Sequence, residues 1–146
     1  MKITINASGG GAAAGSAFFP INLKNTGSSA CTVFGYPGVS FVSSPGGSQI
    51  GQPAKRNNAV TPAPVTLGPG ATAHVTLQVV DALNYSKSTC QPVKAHWLRI
   101  YPPNQFTAAD VKFTALVCAR KLPAKVGTSL TVTAAKSGVG KPGQGL

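Results

Sequence analysis

The chain has 146 residues, of which 42% are hydrophobic, and this is enough for one domain with a single core. It carries 13 lysines and arginines against two aspartates and no glutamate, so its formal net charge is +11. This composition excludes disorder of the whole chain, and no apolar run approaches the roughly 18 residues of a membrane-spanning helix. The charge predicts attraction to polyanions, whether acidic glycans, nucleic acid, anionic lipid or acidic proteins.

The N-terminal half predicts short strands separated by turns, since glycine and proline divide it into short segments. Residues 2–6 alternate as an edge strand, and the glycine-rich residues 8–15 predict a loop. Residues 17–24 place Phe19, Ile21 and Leu23 on one face of a second strand. Further extended segments are predicted at residues 31–34, 39–42 and 65–67, with an irregular edge over residues 49–64.

The C-terminal half contains the clearest alternation, over residues 71–80, with Ala73, Val75, Leu77 and Val79 on one face. Residues 81–89 predict a loop in which Tyr85 is exposed. A central strand is predicted over residues 95–101, with Ala95 and Trp97 on one face and two prolines after it as a stop. After it we predict one helical turn over residues 107–111, a strand over 113–118, a last strand over 129–134 and a tail.

Seven to nine short strands and no segment with a convincing 3.6-residue period are typical of an antiparallel sandwich. The predicted fold class is therefore all-β, with an Ig-like antiparallel β-sandwich as the architecture. Residues 1–136 are predicted to form the single sandwich domain. Residues 137–146 are predicted to form a C-terminal tail rich in Gly, Pro and Lys.

Three cysteines allow at most one intramolecular disulfide, and their separation alone does not fix the pairing. We predict a bridge between Cys90 and Cys118, because it would join the start of the central strand to the end of the next strand. Cys31 is then a free thiol. The alternative is that Cys90 and Cys118 are buried, reduced thiols of a cytosolic protein.

Groups that could carry catalysis or hold a metal are scarce. A nucleophilic Cys31 would need His74 or His96 as its base, and a small buried thiol at a strand start is the simpler interpretation. Asp81 and Asp110 both lie in predicted loops, which does not favour paired carboxylates for acid–base chemistry. Two histidines without a Cys-x-x-Cys do not make a set of metal ligands. We predict no catalytic residues, no metal site and no cofactor.

The cations are scattered without a run of five, which is typical of a solvated basic surface. Two small clusters are candidate polyanion contacts, namely Lys55 with Arg56, and Arg120 with Lys121 and Lys125. Modules that stack single-stranded nucleic acid need aromatic residues interleaved with cations, whereas most aromatic residues here, including Phe34, fall on predicted core faces. Nucleic acid is therefore expected to bind only non-specifically.

Three segments carry a family resemblance. They are CTVFGYPGVS over residues 31–40, LGPGATA over residues 67–73, and CQP from residue 90 leading into LRIYPPN over residues 98–104. Together they resemble the actinobacterial domain of unknown function 4232. The resemblance implies a secreted or lipid-anchored Ig-like β-sandwich with disulfides and no assigned activity. That family usually has a further cysteine ahead of the first strand, where this chain has Met1-Lys2, so Cys31 lacks the partner that the resemblance implies.

From charge and resemblance we predict a non-enzymatic interaction or structural module in an extracellular or cell-surface setting. Its basic face would bind an acidic cell-envelope polymer or an acidic protein surface. The alternative is a decoration or accessory protein on the virion of an actinobacterial phage, in contact with capsid or other virion proteins. That alternative follows from the absence of an export signal before the first strand and from a tail that would need neighbours to order it. A dedicated nucleic-acid-binding protein is a third alternative.

Overall fold

The computed structural model describes residues 1–6, 15–59 and 61–140, and the backbone of residues 12 and 13. Most of the predicted glycine-rich loop and the last six residues of the predicted tail lie outside the described residues. The strands, in chain order, are β1 (Lys2–Ile5), β2 (Ala12–Ala13), β3 (Ser16–Lys24), β4 (Cys31–Val33), β5 (Gly38–Val42), β6 (Gln49–Ile50), β7 (Lys55–Asn57), β8 (Val65–Leu67), β9 (Thr72–Val80), β10 (Pro92–Tyr101), β11 (Ala109–Cys118), β12 (Leu130–Thr133) and β13 (Lys136–Ser137). A 3-10 helix at Ala82–Asn84 and the one-turn helix α1 at Lys87–Cys90 lie between β9 and β10.

The strands form two main sheets and one short ribbon. The larger sheet has the order β1-β3-β9-β12-β7, with β2 paired to β3 and β13 paired to β9. The second sheet has the order β11-β10-β5-β6, and β4 pairs with β8 in the ribbon. Every pairing is antiparallel except that of β7 with β12. The all-β, sandwich-like class is confirmed, while the Ig-like topology stays a prediction.

The core lies between the two sheets and is built from their inward faces. Phe113 on β11 contacts Phe19 on β3 edge to face, with ring centroids 4.8 Å apart, and also packs near Phe41 on β5. The face of β9 that the alternation predicted is confirmed, since its inward residues Val75 and Leu77 are fully buried. Burial of these apolar side chains from both sheets is what joins them.

The prediction that Trp97 shares a face with Ala95 is wrong. The pairing of β10 with β11 is irregular between these two residues, which breaks the alternation of β10 at that point. Ala95, Leu98 and Ile100 are buried, whereas Trp97 is half-buried and pairs with the exposed Lys112. Trp97 therefore lies on the outer face of the second sheet.

Two further local predictions are also wrong. Residues 109–111 belong to β11 and not to a helical turn, because Ala109 pairs with Ile100 and Asp110 with Arg99. Tyr85 is half-buried, since it packs on a small apolar cluster beside α1. In addition Phe34, placed by its sequence position on a core face, has 45% of its surface exposed.

The sheet continues beyond residue 136, where the domain was predicted to end. Lys136 and Ser137 pair with β9, and the Gly138 amide donates to the Thr72 carbonyl at 2.9 Å. The Gly140 amide then donates to the Asn22 side chain at 2.7 Å. Residues 137–140 are thus held by contacts with their own chain.

No helix in residues 1–6, 15–59 and 61–140 is long and apolar enough to cross a membrane.

Candidate anion-binding site

The predicted disulfide is confirmed, and it fixes one corner of the sandwich. Cys90 at the end of α1 is bonded to Cys118 at the end of β11, with their Cα atoms 4.6 Å apart. Ser86 is the N-cap residue of α1, and its side chain accepts from the Thr89 amide. The two cysteines pack with Ala82 and Leu122 in a small buried cluster, and Tyr85 covers it. Burial raises the pKa of Tyr85.

Main-chain hydrogen bonds fix the loop that follows β11 against this corner. The Ala119 amide donates to the Gln91 carbonyl, and the Arg120 amide donates to the Cys90 carbonyl. The Leu122 amide then donates to Gln52 Oε1 at 3.1 Å, across 70 residues of sequence. The loop carrying Lys121 is thereby held beside the segment that leads into β7.

Lys55 and Lys121 meet at a surface cavity of about 220 Å³, which we call the basic depression. Lys55 is on β7 and Lys121 is in the loop after β11, and both residues are exposed. Two predicted polyanion contacts that are distant in sequence are thus brought together. The remaining lining residues, which the sequence did not indicate, are Gln52, Leu122, Ala124, Gly127 and Thr128.

The other three predicted contacts lie elsewhere or beside this cavity. Arg56 follows Lys55 on β7 and lines a different cavity, since successive side chains of a strand point to opposite faces. The Arg120 guanidinium donates to the Ser88 carbonyl at 3.3 Å. Lys125 is exposed and follows Ala124, which lines the basic depression.

Both aspartates of the chain have contacts away from the basic depression. Asp81 Oδ1 accepts from the Leu83 amide and caps the 3-10 helix. Asp110 pairs with Arg99 at 3.0 Å and accepts from the Gly46 amide at 2.7 Å. Both contacts lower the pKa of Asp110, and the hydrogen bond from Arg99 has the larger effect. Since the chain has no other acidic side chain, none is available to neutralise the depression.

A second cavity, of about 250 Å³, lies on the side of β7 that carries Arg56, and we call it the aromatic pocket. Its lining residues are Phe34, Gly35, Tyr36, Arg56, Pro62 and Asn104. Of its lining residues, the sequence singled out only Arg56, as a candidate polyanion contact. A further signal was that the segments at residues 31–40 and 98–104, which supply four of the other lining residues, both carried the family resemblance.

Several hydrogen bonds hold the walls of the aromatic pocket. The Ala135 amide donates to the Gly35 carbonyl at 2.9 Å, and the Asn104 side-chain amide donates to the Phe34 carbonyl at 3.2 Å. The Tyr36 hydroxyl lies 3.2 Å from the Asn57 carbonyl and 3.1 Å from Asn58 Oδ1. This fixes the Tyr36 ring, and the Arg56 guanidinium lies 5.2 Å from the centre of that ring.

The residues considered for nucleophilic catalysis have separate contacts. Cys31 is a half-buried free cysteine that packs against the core. The His74 Nδ1–H donates to the Gly138 carbonyl at 2.9 Å, and His96 Nδ1 lies 3.1 Å from the Thr114 hydroxyl. Across residues 1–6, 15–59 and 61–140, no three His, Cys, Asp or Glu side chains are grouped so as to hold a metal ion.

Comparison with protein families supplies the context for these sites. A family model described as a domain of unknown function, DUF4232, matches residues 1–136. Because this match covers most of the chain, the chain belongs to that family, and the resemblance seen in the three sequence segments is confirmed. No curated protein and no solved structure matches the chain.

Proposed function

We propose that this DUF4232 domain is a non-enzymatic module that binds an acidic cell-envelope polymer through the basic depression. The observation that carries the proposal is the meeting of Lys55 and Lys121 at one cavity. The Gln52–Leu122 hydrogen bond and the Cys90–Cys118 disulfide hold the two supporting segments in place. A polymer carries repeated negative charges, so separate groups of one polymer chain can contact both lysines.

The charge balance of the chain supports the same function. The formal net charge is +11, and Asp81 and Asp110 are both used in local contacts. An excess of one sign raises the concentration of oppositely charged partners near the surface and speeds their association. Non-specific attraction to nucleic acid follows from the same charge and needs no dedicated site.

The disulfide supports an extracellular or cell-surface setting. Disulfides persist in oxidising compartments and are rare in reducing ones. The Cys90–Cys118 bridge also fixes the loop of Lys121, so the proposed binding geometry depends on an oxidising environment.

The test measures binding of the purified domain to an immobilised anionic glycan at a series of salt concentrations. The Debye length falls from about 10 Å at 0.1 M salt to about 3 Å at 1 M, so affinity should fall steeply with salt. The double variant Lys55→Ala and Lys121→Ala should lose about tenfold or more in affinity at low salt.

The matched control is the double variant Lys87→Ala and Lys94→Ala, which removes the same charge from exposed positions that do not line the depression. It should lose clearly less affinity. Binding that does not change with salt, or an equal loss in both double variants, would contradict the proposed site. Absence of binding to any anionic polymer would contradict the function.

A further inference from the structure

We propose that the aromatic pocket recognises a carboxylated sugar unit, with Arg56 on the carboxylate and Phe34 against the sugar ring. This inference rests on the proposed function and deepens it, because it names uronic acid as the unit of the acidic polymer. The pocket is separate from the basic depression, although Lys55 and Arg56 are neighbours on β7.

Arg56 is the group that would bind the anion. Its guanidinium is held over the Tyr36 ring at 5.2 Å, and the Tyr36 hydroxyl is itself tied to Asn57 and Asn58. A planar guanidinium offers paired N–H donors that match the two oxygens of a carboxylate. Stacking on a fixed ring orients these donors before the ligand arrives, which reduces the entropy lost on binding.

Phe34 and Asn104 supply the rest of a sugar site. Phe34, directly after β4, has 45% of its surface exposed and lines the pocket, so its ring is available as an apolar wall. A pyranose ring presents C–H groups on its face and hydroxyls at its edge, so it needs both an apolar wall and polar partners. The Asn104 amide donates once to the Phe34 carbonyl and has further donor and acceptor capacity.

The size of the pocket agrees with one sugar unit. Sites for drug-sized ligands have volumes of about 300–1,000 Å³, and this pocket, at about 250 Å³, is smaller. A free acidic side chain of a protein would use Arg56 alone and would leave the apolar wall and the amide without a role. The observations therefore favour a glycan over an acidic peptide.

The test is an NMR titration of the full chain with a short galacturonic acid oligomer, at fixed ionic strength. Amide signals of residues 34–36 and 104 should shift on binding. Arg56→Lys keeps the charge but loses the paired donors, and Phe34→Ala removes the apolar wall, so each should weaken binding about tenfold. Both positions are exposed, so the variants should fold, and Lys87→Ala should bind within about twofold of the unchanged chain.

Two further ligands separate the outcomes. The methyl-esterified oligomer should bind at least about tenfold more weakly, and polyglutamate should not shift the signals of residues 34–36. Equal effects of polyglutamate at these residues would overturn the glycan assignment in favour of an acidic protein. Oligomer binding unchanged by Arg56→Lys and Phe34→Ala would overturn the pocket and leave the basic depression intact, whereas failure of every anion to bind would contradict both proposals.

Discussion

Arg99 on β10 and Asp110 on β11 form a bidentate ion pair in the second sheet. Arg99 Nε donates to Asp110 Oδ1 at 3.0 Å, and Arg99 Nη2 donates to Asp110 Oδ2 at 3.3 Å. The same guanidinium donates to the Gly47 carbonyl, while Asp110 accepts from the Gly46 amide. The pair thus fastens the turn between β5 and β6 onto the outer face of the sheet.

The ion pair should make the stability of the protein depend on pH in acid. Because Arg99 and the Gly46 amide lower the pKa of Asp110 in the folded state, that carboxyl is more acidic folded than unfolded. Its contribution to the free energy of unfolding is therefore full above the unfolded pKa, about 3.9, and is lost as the pH falls through the folded value. Asp110→Asn should remove this contribution, so the two proteins should become closer in stability below that range.

Urea unfolding of the unchanged chain and Asp110→Asn at several pH values between about 2 and 6 would measure this. Asp81→Asn is the control, since it removes the other carboxylate of the chain, which accepts from the Leu83 amide on a different element. A stability difference between the unchanged chain and Asp110→Asn that stays constant over that pH range would contradict the assignment.

The disulfide should contribute strongly to stability. Cys90 and Cys118 are separated by 28 positions, and closing a loop of that size stabilises the folded state by about 3–4 kcal/mol in the chain-entropy model. The double variant Cys90→Ser and Cys118→Ser should lower the free energy of unfolding by about that amount. Denaturant unfolding under non-reducing conditions measures the effect.

Cys31→Ser is the matched control, because Cys31 is half-buried and free. Reduction of the unchanged chain should reproduce the loss seen in the double variant, and should leave that variant unaffected. Equal stability of the oxidised and reduced chains would contradict the prediction.

The period-two alternation of apolar residues correctly predicted which face of a strand is buried where the strand pairs regularly. In β9, Val75 and Leu77 are inward and fully buried, as their period-two spacing indicated. The same reasoning failed at Trp97, because the pairing of β10 with β11 is irregular there. This irregularity depends on both strands, so the sequence of β10 alone does not predict it. His74 is buried too, although it is on the other face of β9, because residues 138–140 lie against it.

The candidate site was predictable only in part for a similar reason. Lys55 and Lys121 stood out as members of basic clusters, but their meeting depends on the hydrogen bond from Leu122 to Gln52 and on the disulfide corner. The aromatic pocket was hidden because Phe34 has the residue type of a core position. Its exposure follows the alternation of the chain there, since Thr32 and Phe34 are exposed and Val33 between them is buried.

Phe113 should be the most sensitive core position among the aromatic residues that join the sheets. It is 3% exposed and contacts Phe19 and Phe41 from both sheets. Phe113→Ala should lower the free energy of unfolding by about 3–5 kcal/mol, through lost burial and the cavity that remains. Phe106→Ala is the control, since Phe106 is 97% exposed and its loss should change stability by less than about 0.5 kcal/mol.

Thermal and urea unfolding of the two variants would compare them directly. Similar losses in Phe113→Ala and Phe106→Ala would show that the sheets are not joined through Phe113.

Gly140 should control the docking of the chain after β13. A Cβ atom at this position would lie 2.5 Å from Pro20 Cβ and 3.1 Å from His74 Cβ, and both of these atoms belong to strands that cannot easily move. Gly140→Ala should therefore detach residues 138–140 from the sheet and break the bonds from Gly140 to Asn22 and from His74 to the Gly138 carbonyl. Hydrogen exchange of the Gly138 and Gly140 amides should become fast, while that of β9 core amides such as Val75 stays slow.

Gly68→Ala is the matched control, because a Cβ there would meet no atom within 4 Å, and it should leave exchange at Gly138 and Gly140 unchanged. Slow exchange at both amides in Gly140→Ala would mean that the segment is not held by this close packing.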